Sequence, residues 1–169
     1  QLVLPGIVAR ARMGLRIEGA NLDYQDSATG TVANLQALDL DWSNVSLSGP
    51  SKMRLRFRVD TQVSEMLTVR GPVRVELDAQ PVVRGDELEH LAAELRVDGS
   101  DLAVQSNFGF NKATGVPVRL TSKLAASQTE LRLDDLRAVF QEAEIMASGK
   151  VVLGGKSPDV SFKFHSNEI

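Results

Sequence analysis

The 169-residue chain contains no cysteine. This absence excludes disulfide bonds, thiolate catalysis and the zinc clusters built from cysteine. It leaves the compartment open, because a periplasmic protein can also lack cysteine. Aromatic residues are scarce too, at 5% of the chain, so the apolar residues are mostly aliphatic.

Long apolar runs are also missing, since none approaches the roughly 18–20 residues that cross a bilayer. The net charge of −3 is small and the basic residues are dispersed, which argues against a nucleic-acid-binding face. The length suits one domain of ordinary size. The chain begins with Gln1 and shows no signal peptide, so we expect residues 1–169 to be a single β-rich domain and a piece of a longer protein, with any anchor or targeting segment outside this chain.

Signatures of catalysis and metal binding are absent from the sequence. There is no G-x-S-x-G motif and no P-loop spacing. His90 and His165 are far apart and lack companion ligands, so we expect both at the surface. Two acidic pairs are interpreted as outward-facing or turn residues: Asp39 with Asp41, and Asp134 with Asp135. We therefore expect no enzyme activity, no metal and no cofactor.

Alternation with a period of two residues dominates the chain. In "MRLRFRVD" (53–60) apolar side chains point one way, and Arg54, Arg56 and Arg58 point the other. Similar runs are "VRVELDA" (73–79), "AELRVDG" (93–99), "VPVRLTSKL" (116–124) and "DVSFKFHS" (159–166). Turn signals are "SATG" (27–30), "SGPS" (48–51), "RGP" (70–72), "DGSD" (98–101), "NKATG" (111–115) and "GGKSPD" (154–159). The sequence predicts an all-β, mainly antiparallel fold of about nine to eleven strands.

Three stretches are compatible with helix as well as strand. "DELEHLAAELRV" (86–97) has apolar residues at helical spacing and Asp86 as an N-cap candidate. "LRLDDLRAVFQEAEI" (131–145) is similar, and in "LVLPGIVARARMG" (2–14) Pro5 suits a first helical position. We favour strands for the first two, with one or two short helices as the alternative. This choice leaves the strand count between residues 61 and 115 open.

Two long segments resemble the C-terminal region of the AsmA-like family of bacterial envelope proteins. Residues 22–59, "LDYQDSATGTVANLQALDLDWSNVSLSGPSKMRLRFRV", show that family's strand–turn order, with Tyr24 and Asp26 before the turn and Leu38 and Leu40 after it. Residues 131–164 resemble its closing unit, and the similarity extends over about residues 15–164 and is weaker across 61–115. The related TamB family of translocation and assembly module proteins shares this style and is the alternative.

The resemblance implies a curved, taco-like or half-barrel sheet with an apolar interior and a polar exterior. It implies attachment to the inner membrane, a periplasmic location and a role in outer-membrane biogenesis. It also implies phospholipid transport between the two membranes. The partners expected from it are phospholipid or another acyl lipid and an envelope protein, with membrane contact through segments outside this chain.

The apolar side of the alternating strands supplies the candidate groove residues. A sheet with one continuous apolar face can stay partly open and take up acyl chains. The candidates are Leu38, Leu40, Trp42, Leu55, Phe57, Val59, Val73, Val75, Leu77, Leu95, Val97, Phe108, Phe110, Val118, Leu120, Phe162 and Phe164.

The alternative function belongs to another class. The same apolar residues could fill the dry core of a closed β-sandwich, which would act as a scaffold or docking module for an envelope assembly partner. Arg54, Arg56 and Arg58 could contact lipid phosphates at a rim, but the solvated face of a strand is the preferred interpretation. Trp42, the only tryptophan, is expected to pack with its indole N–H bonded near a rim.

Overall fold

A computed structural model describes residues 13–28, 30–45, 49–63, 66–84, 87–153 and 159–167. Within these ranges the chain has no helix, and eleven strands form one curved, unclosed antiparallel sheet. The strands are β1 (Met13–Asp26), β2 (Thr31–Val45), β3 (Ser51–Val63), β4 (Leu67–Arg84), β5 (Glu87–Asp98), β6 (Ala103–Ser106), β7 (Asn111–Lys112), β8 (Val118–Ala126), β9 (Glu130–Phe140), β10 (Ala143–Val152) and β11 (Asp159–Ser166).

The sheet order is β1-β2-β3-β4-β5-β8-β9-β10-β11, so neighbours in sequence are almost always neighbours in space. The short strands β6 and β7 extend this order locally, because β6 pairs with the first four residues of β4, and β7 pairs with β6. Each described strand contacts only the strands beside it in the sheet. The described residues therefore form one layer, and no second sheet covers it.

Strand β4 pairs with two different strands along one edge. Its residues 74–84 pair with β5 and its residues 67–70 pair with β6, so β5 and β6 lie end to end along one edge of β4. The tight turn at residues 99–102 joins them. In this turn Asp98 accepts a hydrogen bond from the backbone N–H of Ser100 at 2.9 Å, and Leu102 donates its N–H to the carbonyl of Gly99 at 3.0 Å.

The predicted turn at "RGP" is wrong, because Arg70, Gly71 and Pro72 lie inside β4. Glycine is required there by a neighbour distant in sequence. Gly71 has a φ of 134°, and a Cβ on it would stand 2.5 Å from the carbonyl oxygen of Asp101. Pro72 lies where β4 changes partner between β6 and β5, a place where a missing N–H costs no ladder hydrogen bond on that edge.

The other turn signals fare better. "SATG" follows β1 and "DGSD" spans the end of β5 and the turn after it, as predicted, with Thr29 outside the described ranges. Gly49 and Pro50 of "SGPS" lie between β2 and β3, and Ser48 lies outside those ranges. "NKATG" begins with the two residues of β7 and turns only after Lys112. Residues 154–158 of "GGKSPD" lie outside the described ranges.

The short-helix alternative is wrong for both stretches that the structure describes. Residues 87–98 are β5, and residues 131–145 comprise most of β9, a turn at 141–142 and the start of β10. Strand pairing on both sides of β5 overrides the helical spacing, since β4 and β8 together satisfy its backbone groups. Asp86 and residues 1–12 lie outside the described ranges. The strand interpretation and the count of eleven within the described ranges confirm the predicted all-β class.

Candidate functional site: the concave apolar face

Strand registers place apolar side chains in rows that cross the whole sheet. We call this side the apolar face and the opposite side the polar face. One row, read from β1 to β11, is Leu15, Trp42, Met53, Leu77, Leu95, Ser122, Leu136, Ala147 and Phe164. The next row is Ile17, Leu40, Leu55, Val75, Val97, Leu120, Ala138, Ile145 and Ser166. At a strand spacing of about 4.8 Å, each row spans on the order of 40 Å.

Burial shows which way the sheet curves. Six of the buried residues in the described ranges belong to strands of the apolar face, namely Ser51, Gly71, Val73, Lys112, Ser122 and Ala147, and Gly99 lies in the turn after β5. No second layer covers this face, so its own neighbouring side chains must bury these positions. That happens when side chains converge, which makes the apolar face the concave one.

The concave face is nevertheless open to solvent. Val73 and Ala147, each 8% exposed, are the buried hydrophobic residues, and no large side chain is fully buried in the described ranges. Toward the edges the exposure rises, to 58% for Leu22 on β1 and 75% for Phe164 on β11. A protein core would bury such side chains, so this surface has the character of an unfilled trough.

Few polar atoms interrupt the trough. Trp42 donates its indole N–H to the Ser51 hydroxyl at 2.7 Å, which leaves the ring on the apolar face with its polar atom satisfied. No side-chain nitrogen or oxygen that is buried within the described ranges lacks a hydrogen-bond partner. The predicted packing of Trp42 is therefore observed.

Lys112 is the charged residue whose position the sequence did not indicate. It is 3% exposed, and its Nζ donates hydrogen bonds to the carbonyl oxygens of Ser100, Leu102 and Ala113. These carbonyls belong to the turns that join β5 to β6 and β7 to β8. The ammonium group thus ties the short hairpin β6–β7 to the main sheet.

All but two of the predicted groove residues lie on strands of the apolar face. The exceptions, Phe108 and Phe110, lie in the turn between β6 and β7. Phe110 still contacts the face, since its ring centroid is 5.4 Å from that of Phe140, whereas Phe108 is 78% exposed. The structure also adds residues of β1 that were not predicted: Leu15, Ile17, Leu22 and Tyr24.

A β-bulge at Gly19 explains why the apolar residues of β1 were missed, and a second bulge lies nearby on β2. Gly19, with a φ of 63°, donates its N–H to Asp39 Oδ1 at 2.9 Å. Across the pair, Ala37, with a φ of 49°, donates its N–H to Asn21 Oδ1 at 3.1 Å. Each bulge shifts the alternation by one residue, so a period-two search fails although the faces continue. The side chains of Asp39 and Asn21, which accept the backbone hydrogen bonds at these bulges, were the signal in the sequence that could have located them.

The polar face carries paired charges. Arg96 contacts Glu94 at 2.7 Å and Asp78 at 3.5 Å, and the Glu94 hydrogen bond is the main cause that raises the pKa of Arg96. Arg137 pairs with Glu144, which likewise raises the pKa of Arg137. Arg54, Arg56 and Arg58 are exposed on this face, which agrees with their interpretation as the solvated face of a strand. Such exposed pairs contribute little stability, but they keep this face hydrated.

Four depressions of about 340–480 Å³ are lined mainly by side chains of the polar face. One of these depressions has a lining of mixed charge, with Lys52, Lys123 and Arg132 beside Asp78 and Glu94. Depressions of this kind form between long charged side chains. The concave apolar face is a wide open trough, and it is the surface that differs most from an ordinary solvated sheet.

The described ranges contain no cluster of three or more His, Cys, Asp or Glu residues that could hold a metal ion. His165 is exposed on β11, and His90 is half-buried on β5. No helix in the same ranges has the length and apolarity to cross a membrane.

Comparison of the chain with protein-family models, with curated proteins and with solved structures gives no match. The resemblance to the AsmA-like family stays a prediction. The geometry of the apolar face must therefore support any function that is proposed.

Proposed function

We propose that the chain is a non-enzymatic, AsmA-like periplasmic domain whose concave apolar face binds the acyl chains of phospholipids. The observation that carries the proposal is the set of mainly apolar rows that cross the sheet from β1 to β11, with Ser122 and Ser166 as their polar members, without a covering layer in the described ranges. In the full-length protein the domain is attached to the inner membrane by segments outside this chain. Its role is phospholipid transport between the two membranes during outer-membrane biogenesis.

Physical chemistry supports movement along the trough as well as binding. Each acyl methylene removed from water contributes on the order of 0.8 kcal/mol, so several strands of apolar lining retain a chain. The lining is aliphatic, with Leu, Val and Ala in most positions of the central rows. Since the rows offer no charged anchor at a fixed place, a bound chain can shift from strand to strand at little cost.

Adjacent positions on β8 give a matched test. Leu120 lies on the apolar face, and Thr121 lies on the polar face between Arg96 and Arg137. We expect Leu120→Glu to lose co-purifying phospholipid, measured by native mass spectrometry and lipid extraction, because a carboxylate disrupts the lining. Thr121→Glu adds the same charge beside two guanidinium groups and keeps the lipid.

Whether the Leu120→Glu variant folds distinguishes the open trough from the alternative, a closed β-sandwich. In an open trough the new carboxylate reaches water, so circular dichroism should show a folded protein. In a dry sandwich core a buried unpaired charge would unfold it. If the wild-type protein carries no lipid and the Leu120→Glu variant unfolds, the trough is refuted and the docking module is favoured. Val75→Glu on β4 and Phe57→Glu on β3, two and three strands away from β8, repeat the test independently.

The single tryptophan offers a direct reading of where the lipid lies. Trp42 is half-buried on the apolar face, so phospholipids with brominated acyl chains should quench its fluorescence. In the double variant Trp42→Phe with Thr121→Trp, the only indole lies on the polar face, and quenching should fall to that of free tryptophan. Equal quenching at both positions would contradict binding in the trough.

A further inference from the structure

The two edges of the sheet differ in regularity. The pairing of β1 with β2 contains three register shifts, including the bulge at Gly19, and bulges of this kind deter edge-to-edge association. The pairing of β11 with β10 runs through eight consecutive residue pairs without a shift. Within the described ranges β10 is the partner of β11, so the opposite side of β11 presents an uninterrupted row of backbone donors and acceptors.

The side chains of β11 leave that edge apolar on one face. Val160, Phe162 and Phe164 are 55%, 48% and 75% exposed and continue the rows of the apolar face. Phe162 and Phe164 contact each other, with ring centroids 6.2 Å apart. An exposed, regular and apolar edge strand is the kind that takes up another strand.

We propose that β11 pairs antiparallel with β11 of a second copy of this chain. A two-fold axis through Phe162 sets Val160 opposite Phe164 of the partner on the apolar face. On the polar face the same register sets Asp159 opposite His165 and Ser161 opposite Lys163. Acid thus meets base, and no like charges face each other. Shifting the register to centre on Lys163 would oppose two ammonium groups.

This arrangement joins two sheets into one. Because the axis is perpendicular to the sheet, both apolar faces lie on the same side and the trough continues across the interface. One strand pair buries less than the ~1,200 Å² of a stable standard interface. The dimer population should therefore rise with protein concentration. The pairing uses an edge, so it holds whether or not the trough binds lipid.

Two substitutions to lysine, matched in exposure, separate the edges. Val160 on β11 and Leu22 on β1 are 55% and 58% exposed on the apolar face, so neither change should unfold the protein. By sedimentation or light scattering on lipid-free protein, the wild type should approach twice 18.3 kDa as concentration rises. Val160→Lys should stay monomeric and Leu22→Lys should dimerise. A wild type that stays monomeric, or a dimer lost only in Leu22→Lys, overturns the proposal.

A charge exchange tests the register. Asp159→Lys sets a lysine against His165 of the partner, twice per dimer by symmetry, and should weaken dimerisation roughly 3- to 30-fold. Adding His165→Glu sets a carboxylate against that lysine and should recover the affinity. Failure of this rescue would overturn the assigned register.

Since the chain has no cysteine, a single introduced thiol reports contact without background. Phe162→Cys lies on the proposed axis and should form a disulfide-linked dimer under mild oxidation, whereas Leu22→Cys should not. The Leu120→Glu variant controls for stacking of two apolar faces, and it should still dimerise. A dimer abolished by Leu120→Glu would mean face-to-face association and would refute edge pairing.

Discussion

At the scale of single residues, a few polar groups hold the places where the strand pattern breaks. Lys112 binds three carbonyl oxygens in two turns, and Asp98 and Ser100 shape one of those turns. Asn21 and Asp39 do the same for the two bulges of β1 and β2. Each of these polar groups serves backbone atoms that the regular ladder leaves unpaired.

We expect Lys112→Met to destabilise the protein by about 1–3 kcal/mol, because it leaves part-buried carbonyl oxygens without their donor. Lys150→Met, at an exposed position of β10, is the matched control and should leave stability within about 0.5 kcal/mol of the wild type. Urea unfolding followed by circular dichroism measures both. Equal stability of the two variants would show that the hydrogen bonds of Lys112 are dispensable.

Asp98 gives a pH dependence of defined sign. The Ser100 hydroxyl, and then the Ser100 N–H, donate hydrogen bonds that lower the pKa of Asp98 below its ordinary value of 3.8. The folded state therefore favours the carboxylate. This contribution to stability is present above the unfolded pKa and is lost as the pH falls through the folded pKa.

Accordingly, Asp98→Asn should be less stable than the wild type at neutral pH, and the difference should shrink below about pH 4. Ser100→Ala should weaken the same dependence, because it removes the first of the two hydrogen-bond donors. Urea midpoints measured over a pH series give the result. A difference that stays constant down to strongly acidic pH would contradict the assignment.

At the scale of elements, the sheet grows by hairpins, and period-two alternation was enough to locate most strands. The pattern failed at β4, where "RGP" looked like a turn. It failed again at β1, where the bulges displaced the alternation. In both places the deciding contact comes from a residue distant in sequence, Asp101 for Gly71 and Asp39 for Gly19.

At Gly71 the turn between β5 and β6 approaches the backbone of β4 closely. Gly71→Ala should cost about 2 kcal/mol or more, since the Cβ meets the Asp101 carbonyl and the φ of 134° is strained for alanine. Gly14→Ala is the control, because a Cβ there meets nothing nearer than the Trp42 carbonyl oxygen at 3.7 Å. Unfolding free energies from urea titration compare them. A Gly71→Ala protein as stable as Gly14→Ala would mean that the turn can move aside freely.

At the scale of the whole molecule, one uncovered layer leaves a large surface. The accessible area is 11606 Å², against about 8,100 Å² for a compact monomer of this mass. The side chains of the apolar face are mostly half-buried, whereas a two-layer protein would bury them.

Unfolding should therefore expose less new apolar surface than is usual for 169 residues. We expect a heat-capacity change per residue below the ordinary range of about 12–15 cal/mol/K, measured by scanning calorimetry on lipid-free protein. Phospholipid should raise the melting temperature if it fills the trough, because it binds only the folded state. A heat-capacity change within the ordinary range would indicate a second packed layer.

The sequence by itself determined the all-β class, most strand positions and the division into an apolar and a charged face. Those features follow from local rules, since alternate side chains of a strand point to opposite sides whatever the neighbour. Fifteen of the groove candidates, such as Leu55 and Val97, fall on one face for this reason alone.

Only the tertiary structure decided that the sheet stays a single open layer, that it curves around its apolar face, and that Lys112 is buried. It also decided that β11, with its unbroken register, presents the regular edge. Alternation is the same in a sandwich, a barrel and an open trough. What distinguishes them is whether a second surface covers the apolar side chains, and that depends on strand pairing between residues far apart in the chain.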